Sequence, residues 1–386
     1  MTTYLLLDDS LRSYELRHEI GEMIMDPIIF IEHDGKRIVV ASDLEAASFE
    51  DREDVVDEFW NVHDLGMEDL IKQGTLAREL MLPEIATRAL EKLGVFEVNV
   101  PPTFQTLVSD YLRDKEIQVT VDDATWIDRR RRKTPWEIEG IERAQRAAET
   151  AMLTAARMLY ESEPTGGGEL GGELRFEGEM LTAELIRVAM EAELLSQGAE
   201  SSEILIHSGD ACLKGHDLGS GPILVDQSCI IDCFPRDRKT GAYTDMTRTF
   251  VPGTPSGDLT RLHSVCRKAL DIAFAAIRPG ASDPFQNVAE YFASEGFPTQ
   301  LTHEGPAPLR EGFSHALGHG VGLQVHERPY MGRRADALQA GDVVAVEPGL
   351  YFAGVGGVRL EDTVLVTDNG VEHFTEPMSY DFDPLR

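Results

Sequence analysis

The stretch IIDCFPRDRKTGAYTDMTRTF, residues 230–250, holds two aspartates, Asp232 and Asp245, on either side of a charged, glycine-containing turn. Opposite residues in a hairpin have indices with a constant sum. A symmetric hairpin centred between Arg238 and Lys239 would therefore place the two aspartates face to face, with Cβ atoms about 5 Å apart. Two carboxylates that close repel each other unless a cation lies between them. Such a pair of carboxylates could bridge two metal ions. The alternative is that both aspartates are solvated residues of a hairpin.

Histidines and glycines are concentrated further along, in the segment SHALGHGVGLQVHERP, residues 314–329. It contains His315, His319 and His326, with glycines on both sides of His319. Glycine lets the backbone come close to a compact centre. A single histidine is more often a structural residue, but three in such a short glycine-rich segment favour a metal-ligand or acid–base role.

Two further carboxylates interrupt apolar strands near the C-terminus. The segment DVVAVEPGLYF reaches Glu347 and is then broken by proline and glycine, and GGVRLEDTVLV carries Arg359 and Glu361. A carboxylate at the end of a hydrophobic strand is unfavourable to bury without a partner. Arg359 and Glu361 are two residues apart and so share a face of a strand. A surface salt bridge is the alternative interpretation of that pair.

The sequence contains, in this order, the segments DMTRTF, GHGVGL followed by HERP, VEPGLY and VRLED. This ordered set resembles the motifs of the pita-bread metallopeptidases, which include methionine aminopeptidase, aminopeptidase P and prolidase. The resemblance spans roughly residues 130–375, and the first third is similar to the N-terminal domain of creatinase-type relatives. It implies an α/β (α+β) protein with a smaller creatinase-type α/β domain at residues 1–128 and a pita-bread catalytic domain at residues 129–386.

The resemblance also implies a site with two divalent metal ions. Its ligands would be Asp232, Asp245, His319, Glu347 and Glu361. Oxygen ligands with one imidazole suit Mn²⁺ or Co²⁺, and Zn²⁺ or Fe²⁺ are compatible. The interval between the two aspartates is longer by two residues than in such relatives. An extended turn would accommodate the extra pair, and an even insertion keeps both side chains on one face.

The same resemblance implies roles for the remaining residues. Glu347 would shuttle the proton during attack by a metal-bridged water, and His326 and His315 would position the substrate and stabilise the oxyanion. His216 corresponds to a further histidine near the substrate. Arg359 would hold a metal-bound carboxylate, and Arg333 corresponds to the position that clamps a substrate carboxylate in prolidases, although Arg334 is adjacent.

These features predict a peptidase that cuts the bond before proline, either a Xaa-Pro aminopeptidase or a Xaa-Pro dipeptidase. The N-terminal domain favours this branch over methionine aminopeptidases, which are shorter. Two alternatives are a creatinase-like amidinohydrolase and a non-catalytic binding module on the same fold. Both kinds of relative tend to lose the metal ligands, whereas all five candidate ligands are present here.

The composition restricts partners and compartment. The 386 residues carry a formal net charge of −32, which argues against nucleic acid or an anionic membrane as partner. No apolar run approaches 18 residues, and the N-terminus lacks a basic leader. Four cysteines without a CxxC pair fit a reducing compartment. We therefore expect a cytoplasmic protein, and the resemblance suggests a homodimer.

Several local signals complete the interpretation. Asp34-Gly35 predicts a tight turn between two strands, and Thr134-Pro135 with Glu137 predicts a capped helix start. The basic run at residues 129–133 is expected to be solvated or to lie between domains. The glycine- and glutamate-rich segment at residues 161–179 is expected to form a flexible surface loop.

Overall fold

The structure is a computed structural model that describes residues 2–165, 172–201, 203–215 and 217–386. By its internal contacts the chain divides into two compact units, Met1–Arg130 and Arg131–Arg386. Within the described ranges, no helix combines the length and the apolar character needed to cross a membrane. Each unit has its own buried core, and the two are described in turn.

The first unit is a twisted sheet with helices on its faces. Its strands are β1 (Tyr4–Asp8), β2 (Ile28–His33), β3 (Lys36–Ala41), β4 (Glu58–Asn61), β5 (Glu97–Val100) and β6 (Gln118–Val121). Its helices are α1 (Tyr14–Ile20), α2 (Asp43–Ala46), α3 (Met67–Gln73), α4 (Met81–Leu93), α5 (Thr106–Asp114) and α6 (Asp123–Arg131), with 3₁₀ turns at Ala47–Phe49 and Arg78–Leu80. In the described part of this unit the strand order is β4-β3-β2-β1-β5-β6.

Alternation along the strands builds a core on each face of this sheet. In β2, Ile29 and Ile31 belong to one hydrophobic cluster, whereas Phe30 belongs to another on the opposite face. The predicted turn between β2 and β3 is confirmed, because His33 pairs with Lys36 and the two residues between them have positive φ. That combination matches the right-handed twist of the flanking strands.

The second unit contains the candidate site. Its helices are α7 (Pro135–Tyr160), α8 (Ala183–Ser196), α9 (Gly257–Ala276) and α10 (Pro284–Ser294), with a 3₁₀ helix at Gly209–Lys214. Its first strands are β7 (Glu163–Pro164), β8 (Leu174–Phe176), β9 (Glu179–Met180), β10 (Ala199–Glu200), β11 (Ile204–Ser208), β12 (Cys229–Cys233), β13 (Arg236–Asp237) and β14 (Met246–Phe250). The later strands are β15 (Gly318–Gly320), β16 (Glu327–Met331), β17 (Val343–Val346), β18 (Gly349–Phe352), β19 (Gly356–Arg359), β20 (Asp362–Thr367) and β21 (Gly370–His373).

Two sheets of this unit carry the site. One has the order β11-β12-β14, and the other has the order β16-β15-β17-β20-β21. A bridge between Thr247 and Glu361 joins them. Residues of α7 and α8 pack in one hydrophobic cluster with the first sheet, and residues of α9 and α10 pack in a second cluster with the other sheet. The polar side chains of the candidate site therefore come from two sheets, each of which packs against its own hydrophobic cluster.

Helix α7 begins as predicted. The Thr134 hydroxyl accepts a hydrogen bond from the Glu137 N–H at 3.2 Å, and the Glu137 carboxylate accepts one from the Thr134 N–H at 2.7 Å. This reciprocal capping box, with Pro135 at the first helical position, satisfies amide groups that have no partner within the helix.

Two expectations about surface segments differ from the structure. Residues 161–179 are not a loop throughout, because they contain the antiparallel strands β7 and β8 and the first residue of β9; residues 166–171 lie outside the described ranges. In the basic run, Arg131 and Lys133 are not solvated: both make buried ion pairs within the second unit, with Asp342 and Glu327. Long-range partners of this kind leave no trace in the local sequence.

Candidate metal centre

Strands β12 and β14 bring Asp232 and Asp245 to one face, with a register that differs from the prediction. Asp232 pairs with Thr247 of β14, so Asp245, which immediately precedes β14, is two residues away from the position directly opposite Asp232. The turn sets this offset, because Asp237 pairs with Ala242 around a four-residue loop that ends at a glycine with positive φ. Since the period of side-chain direction is two, both aspartates still share a face.

His319 lies in the middle of the short strand β15, between β16 and β17. A Cβ on Gly318 would lie 1.9 Å from the carbonyl oxygen of Ala345, and one on Gly320 would lie 2.2 Å from that of Arg328. Glycine at both positions therefore permits close packing of the neighbouring strands. The Nδ1–H of His319 donates to the Gly320 carbonyl at 3.1 Å, which leaves Nε2 as the acceptor.

The Nε2 atom of His319 faces two carboxylates. It lies 3.7 Å from Oδ2 of Asp245 and 3.9 Å from Oε1 of Glu347, which follows β17. Glu361, immediately before β20, is buried, and its Oε2 accepts a hydrogen bond from the Thr247 hydroxyl at 2.5 Å. One ligand atom from each of Asp245, His319 and Glu361 lies within 4.8 Å of the others, so these three can hold a metal ion.

Two oxygens in this cluster lack a hydrogen-bond partner among the described residues. They are Oδ1 of Asp232 and Oδ1 of Asp245, and both are buried. A buried carboxylate oxygen without a partner is unfavourable unless a cation satisfies it. The converging ligand atoms are carboxylate oxygens and one imidazole nitrogen, a set that suits divalent first-row metals. The residues present therefore fit a divalent metal site.

The charge balance of the cluster points the same way. Burial, together with the nearby carboxylates, raises the pKa of Asp245 and of Glu361 well above their usual range. Burial raises the pKa of Glu347 to about 7, although Arg359 opposes the shift. Burial and the neighbouring His326 lower the pKa of His319 to about 4. Without a cation, the site therefore favours neutral His319 and disfavours the charged forms of its carboxylates. A bound divalent cation would reverse the effect on the carboxylates.

Arg359 is the guanidinium that faces this charge. Its Nη2 donates to Oδ2 of Asp232 at 2.6 Å, its Nε donates to the Thr247 hydroxyl at 3.2 Å, and its Nη1 donates to the Tyr351 hydroxyl at 3.0 Å. One oxygen of Asp232 is therefore fixed by Arg359, and the other is left for a ligand role. The predicted contact of Arg359 with a candidate ligand carboxylate is present in this geometry.

His315 and His326 lie on either side of the cluster. The His315 Nδ1–H donates to the Ala316 carbonyl at 2.7 Å, and Nδ1 is also 3.8 Å from Oε2 of Glu347. Nε2 of His315 then accepts from the Tyr351 hydroxyl at 3.1 Å. The ring of His326 lies 4.2 Å from that of His319, centroid to centroid.

The cluster opens into a cavity of about 900 Å³. Its lining includes Asp232, Asp245, His319, Glu347, Glu361, His315, His326 and Arg359. Of the two adjacent arginines, Arg334 lines the cavity and Arg333, the predicted substrate-binding residue, does not. His216 lies outside the described residues, whereas Gly215 before it lines the cavity.

Tyr351 and Arg310 are two of the cavity residues that sequence reasoning did not identify. Tyr351 connects Arg359 to His315 through its hydroxyl, and Arg310 lines the cavity from the loop that precedes Phe313. Tyr351 stands four residues after Glu347, in the next strand β18, so its closeness in sequence to a candidate catalytic residue was a usable signal. Arg310 stands in a segment without any recognisable pattern.

Comparison with known proteins gives the family. The profile of metallopeptidase family M24 matches residues 139–368, more than half of the sequence. The chain belongs to metallopeptidase family M24. This M24 chain is 33% identical over 192 residues to the uncharacterized peptidase YqhT of Bacillus subtilis, covering 48% of the chain and 51% of YqhT. The chain therefore matches about half the length of that relative.

Two further similarities extend over more of the M24 chain. It is 29% identical over 247 residues to a Xaa-Pro dipeptidase of Pyrococcus furiosus, with 63% of each protein covered. Its structure is similar to that of an X-Pro aminopeptidase from Thermotoga maritima, with a TM-score of 0.76, 20% identity, and coverage of 98% of this chain and 97% of the other. The predicted family and the predicted pita-bread fold are confirmed, and divalent metals are implied for a member of M24.

Proposed function

We propose that this M24 chain is a dinuclear-metal peptidase that hydrolyses the bond between a first residue and proline. The observation that carries the proposal is the convergence of four carboxylates and one imidazole on a cavity where two buried aspartate oxygens lack a hydrogen-bond partner among the described residues. The relatives named as Xaa-Pro dipeptidase and X-Pro aminopeptidase support the choice of bond.

The proposed ligands of the two ions are Asp232, Asp245, His319, Glu347 and Glu361. The chemistry supplied by bound divalent cations is activation of a water nucleophile and polarisation of the scissile carbonyl. Mn²⁺ or Co²⁺ is the proposed metal. Arg359 keeps one oxygen of Asp232 occupied, which directs the other oxygen towards the cavity.

The proposed proton carrier is Glu347. Its carboxylate lies between the His319 and His315 rings at 3.9 and 3.8 Å and is 20% exposed to the cavity, so it can accept a proton from water and return it to the departing proline nitrogen. His326 and His315 flank this position and would hold the substrate carbonyl as negative charge develops on its oxygen. Tyr351 would fix the His315 ring through its hydroxyl.

The cavity also supports a choice of substrate length. Arg310 and Arg334 line it, and neither forms an ion pair with any described residue. Unpaired guanidinium groups suit a carboxylate, which they can bind through two parallel hydrogen bonds. We therefore propose that the substrate is a short peptide whose C-terminal carboxylate lies within reach of the cavity, with Xaa-Pro dipeptides favoured over longer peptides.

The alternatives of a creatinase-like amidinohydrolase and of a non-catalytic module are less well supported. Neither needs a cavity lined by a complete metal-ligand set, and both leave the buried aspartate oxygens unexplained. A homodimer remains part of the proposal and rests on the family resemblance alone.

A single comparison tests the proposal. Hydrolysis of Ala-Pro and of Ala-Pro-Ala is measured with Mn²⁺-loaded protein, alongside a Glu347→Gln variant whose folding is checked by circular dichroism. We expect turnover of Ala-Pro, weaker turnover of the tripeptide, and a loss of turnover in the folded variant. Preference for the tripeptide would overturn the assigned substrate length, and an active Glu347→Gln variant would overturn the proton carrier.

A further inference from the structure

The basic run at residues 129–133 ends in a buried lysine. The side chain of Lys133 is 1% exposed, and its Nζ donates to Oε1 of Glu327, whose side chain is 6% exposed. Lysine and glutamate are rarely buried to this extent unless they are paired. The chain has a net charge of −32 and few basic residues, so the burial of one of its lysines indicates a specific structural role.

Glu327 is also bonded to the loop that carries His326. Its second oxygen, Oε2, accepts a hydrogen bond from the Gln324 N–H at 3.3 Å. The loop packs against the ion pair at Gly322, where a Cβ would lie 2.6 Å from Oε1 of Glu327 and 2.8 Å from Cε of Lys133. The backbone between Gly322 and Glu327 is therefore folded around the Lys133–Glu327 pair.

The β-ladder does not fix this loop, because its register changes there. His319 pairs with Tyr330, whereas the next residue, Gly320, pairs with Glu327. Arg328 and the proline after it are the additional residues of a bulge. A bulge interrupts the ladder and leaves residues on the bulged strand unpaired. His326 immediately precedes Glu327, so the ion pair fixes the backbone one residue from the ring that faces His319.

From these contacts we infer that Lys133 is a positioning residue: through its ion pair with Glu327 it sets the place of His326 in the cavity. The inference rests on the proposed peptidase function for its kinetic consequence. Small displacements of a group that contacts the reacting atoms can reduce turnover up to about 100-fold. Loss of Lys133 should therefore reduce turnover while the metal ligands, which lie on other strands, stay in place.

The same segment supplies a matched control. Arg131 makes a comparable buried pair with Asp342, with Nε–Oδ1 and Nη2–Oδ2 distances of 2.8 and 2.6 Å and side chains 10% and 0% exposed. Asp342 also accepts a hydrogen bond from the Gln339 N–H at 2.7 Å. Both pairs are buried and anchor a loop of the second unit, but of the two only the Lys133 pair contains the residue next to His326, which is Glu327.

The experiment compares Lys133→Met and Arg131→Met in the full-length, Mn²⁺-loaded protein. We measure kcat and KM for Ala-Pro, bound metal, and hydrogen exchange of the amides in residues 321–327, at a temperature where both variants are folded. We expect Lys133→Met to lower kcat about 10- to 100-fold with little change in KM or metal content, and to speed exchange in the loop. Arg131→Met should leave kcat and that exchange as in the wild type.

Two outcomes would overturn the inference. One is a folded, metal-loaded Lys133→Met protein with wild-type kcat and loop exchange, and the other is an equal loss of kcat in both variants. If Lys133→Met does not fold, Glu327→Gln, which keeps the size of the side chain, replaces it with the same expectations. Absence of hydrolysis by the wild-type protein would instead refute the proposed function, and the exchange comparison would still test the anchor.

Discussion

Replacing Asp245 by Asn separates the cost of burying this carboxylate from its use as a metal ligand. Asp245 is 4% exposed, and its Oδ1 lacks a hydrogen-bond partner among the described residues. In the metal-free protein, burial and the nearby carboxylates of Glu361 and Asp232 disfavour its charge. Asparagine has the same shape without the charge. The metal-free variant should therefore be at least as stable as the metal-free wild type near pH 7.

The metal-loaded proteins should behave in the opposite way. A ligand at about 100 times its Kd stabilises the folded state by about 2.7 kcal/mol. For a unit of 150–250 residues, each kcal/mol raises Tm by about 2–4 °C, so one bound ion should raise the wild-type Tm by about 5–11 °C. The Asp245→Asn variant loses a ligand that faces His319 at 3.7 Å, and its Tm should rise by less than about 2 °C.

Thermal unfolding of chelator-treated protein, with and without added Mn²⁺, provides the measurement. Asp237→Asn is the control, because Asp237 is also buried but accepts hydrogen bonds from Arg143 at 3.0 and 2.9 Å in the turn of the same hairpin. It should lower Tm equally with and without metal. If Mn²⁺ raises the Tm of Asp245→Asn as much as it raises that of the wild type, the ligand assignment is refuted. If the metal-free variant is clearly less stable than the metal-free wild type, the electrostatic reasoning is refuted.

Three further predictions concern the cavity, the strand of His319 and the pH response. Arg334→Ala should raise KM for Ala-Pro at least about 10-fold, since a hydrogen bond to a charged group contributes about 1.5–3 kcal/mol, while Arg333→Ala should leave steady-state kinetics unchanged. Gly318→Ala should lower stability in urea by about 1–3 kcal/mol or more, because its Cβ would lie 1.9 Å from the Ala345 carbonyl oxygen; an unaltered midpoint would contradict this. Burial lowers the pKa of His263, so the unfolded state takes up its proton first as the pH falls below about 6.5. The stability of wild type relative to His263→Phe should therefore decrease from pH 7 to pH 5, and a constant difference would show that the residue does not titrate this way.

Features set by neighbouring residues were predictable from the sequence. The turn at Asp34 and Gly35 and the capping box at Thr134 depend on side chains within a few positions, and both are present in the structure. Glu347 was noticeable because a carboxylate at the end of an apolar strand is unfavourable to bury without a partner. The full set of five candidate ligands came from the resemblance to the metallopeptidase family. The structure brings these side chains to one cavity.

The assumption of a symmetric hairpin predicted the wrong register, with Asp232 directly opposite Asp245. The loop ends at Gly241, whose positive φ of 72° lets the chain turn there and shifts the pairing centre by one position. The aspartates are therefore offset by two residues. Their common face was predicted correctly because that depends only on whether the offset is even or odd.

Ion pairs between residues that are distant in the sequence could not be predicted. Arg359 donates to Asp232, 127 positions earlier, and Lys133 donates to Glu327, 194 positions later. A sequence shows that such side chains are charged, but the packing of the sheets and helices decides which charges meet. The basic run was expected to be solvated or to lie between domains, and for this reason solvation is excluded for Arg131 and Lys133.

The most direct test of the central claim is the rate of Ala-Pro hydrolysis measured together with the number of metal ions bound in the same sample. As Mn²⁺ is added to chelator-treated protein, we predict that turnover appears and reaches its maximum at two ions per chain. Absence of turnover in folded protein with two ions bound, or full turnover in the metal-free protein, would contradict the proposal.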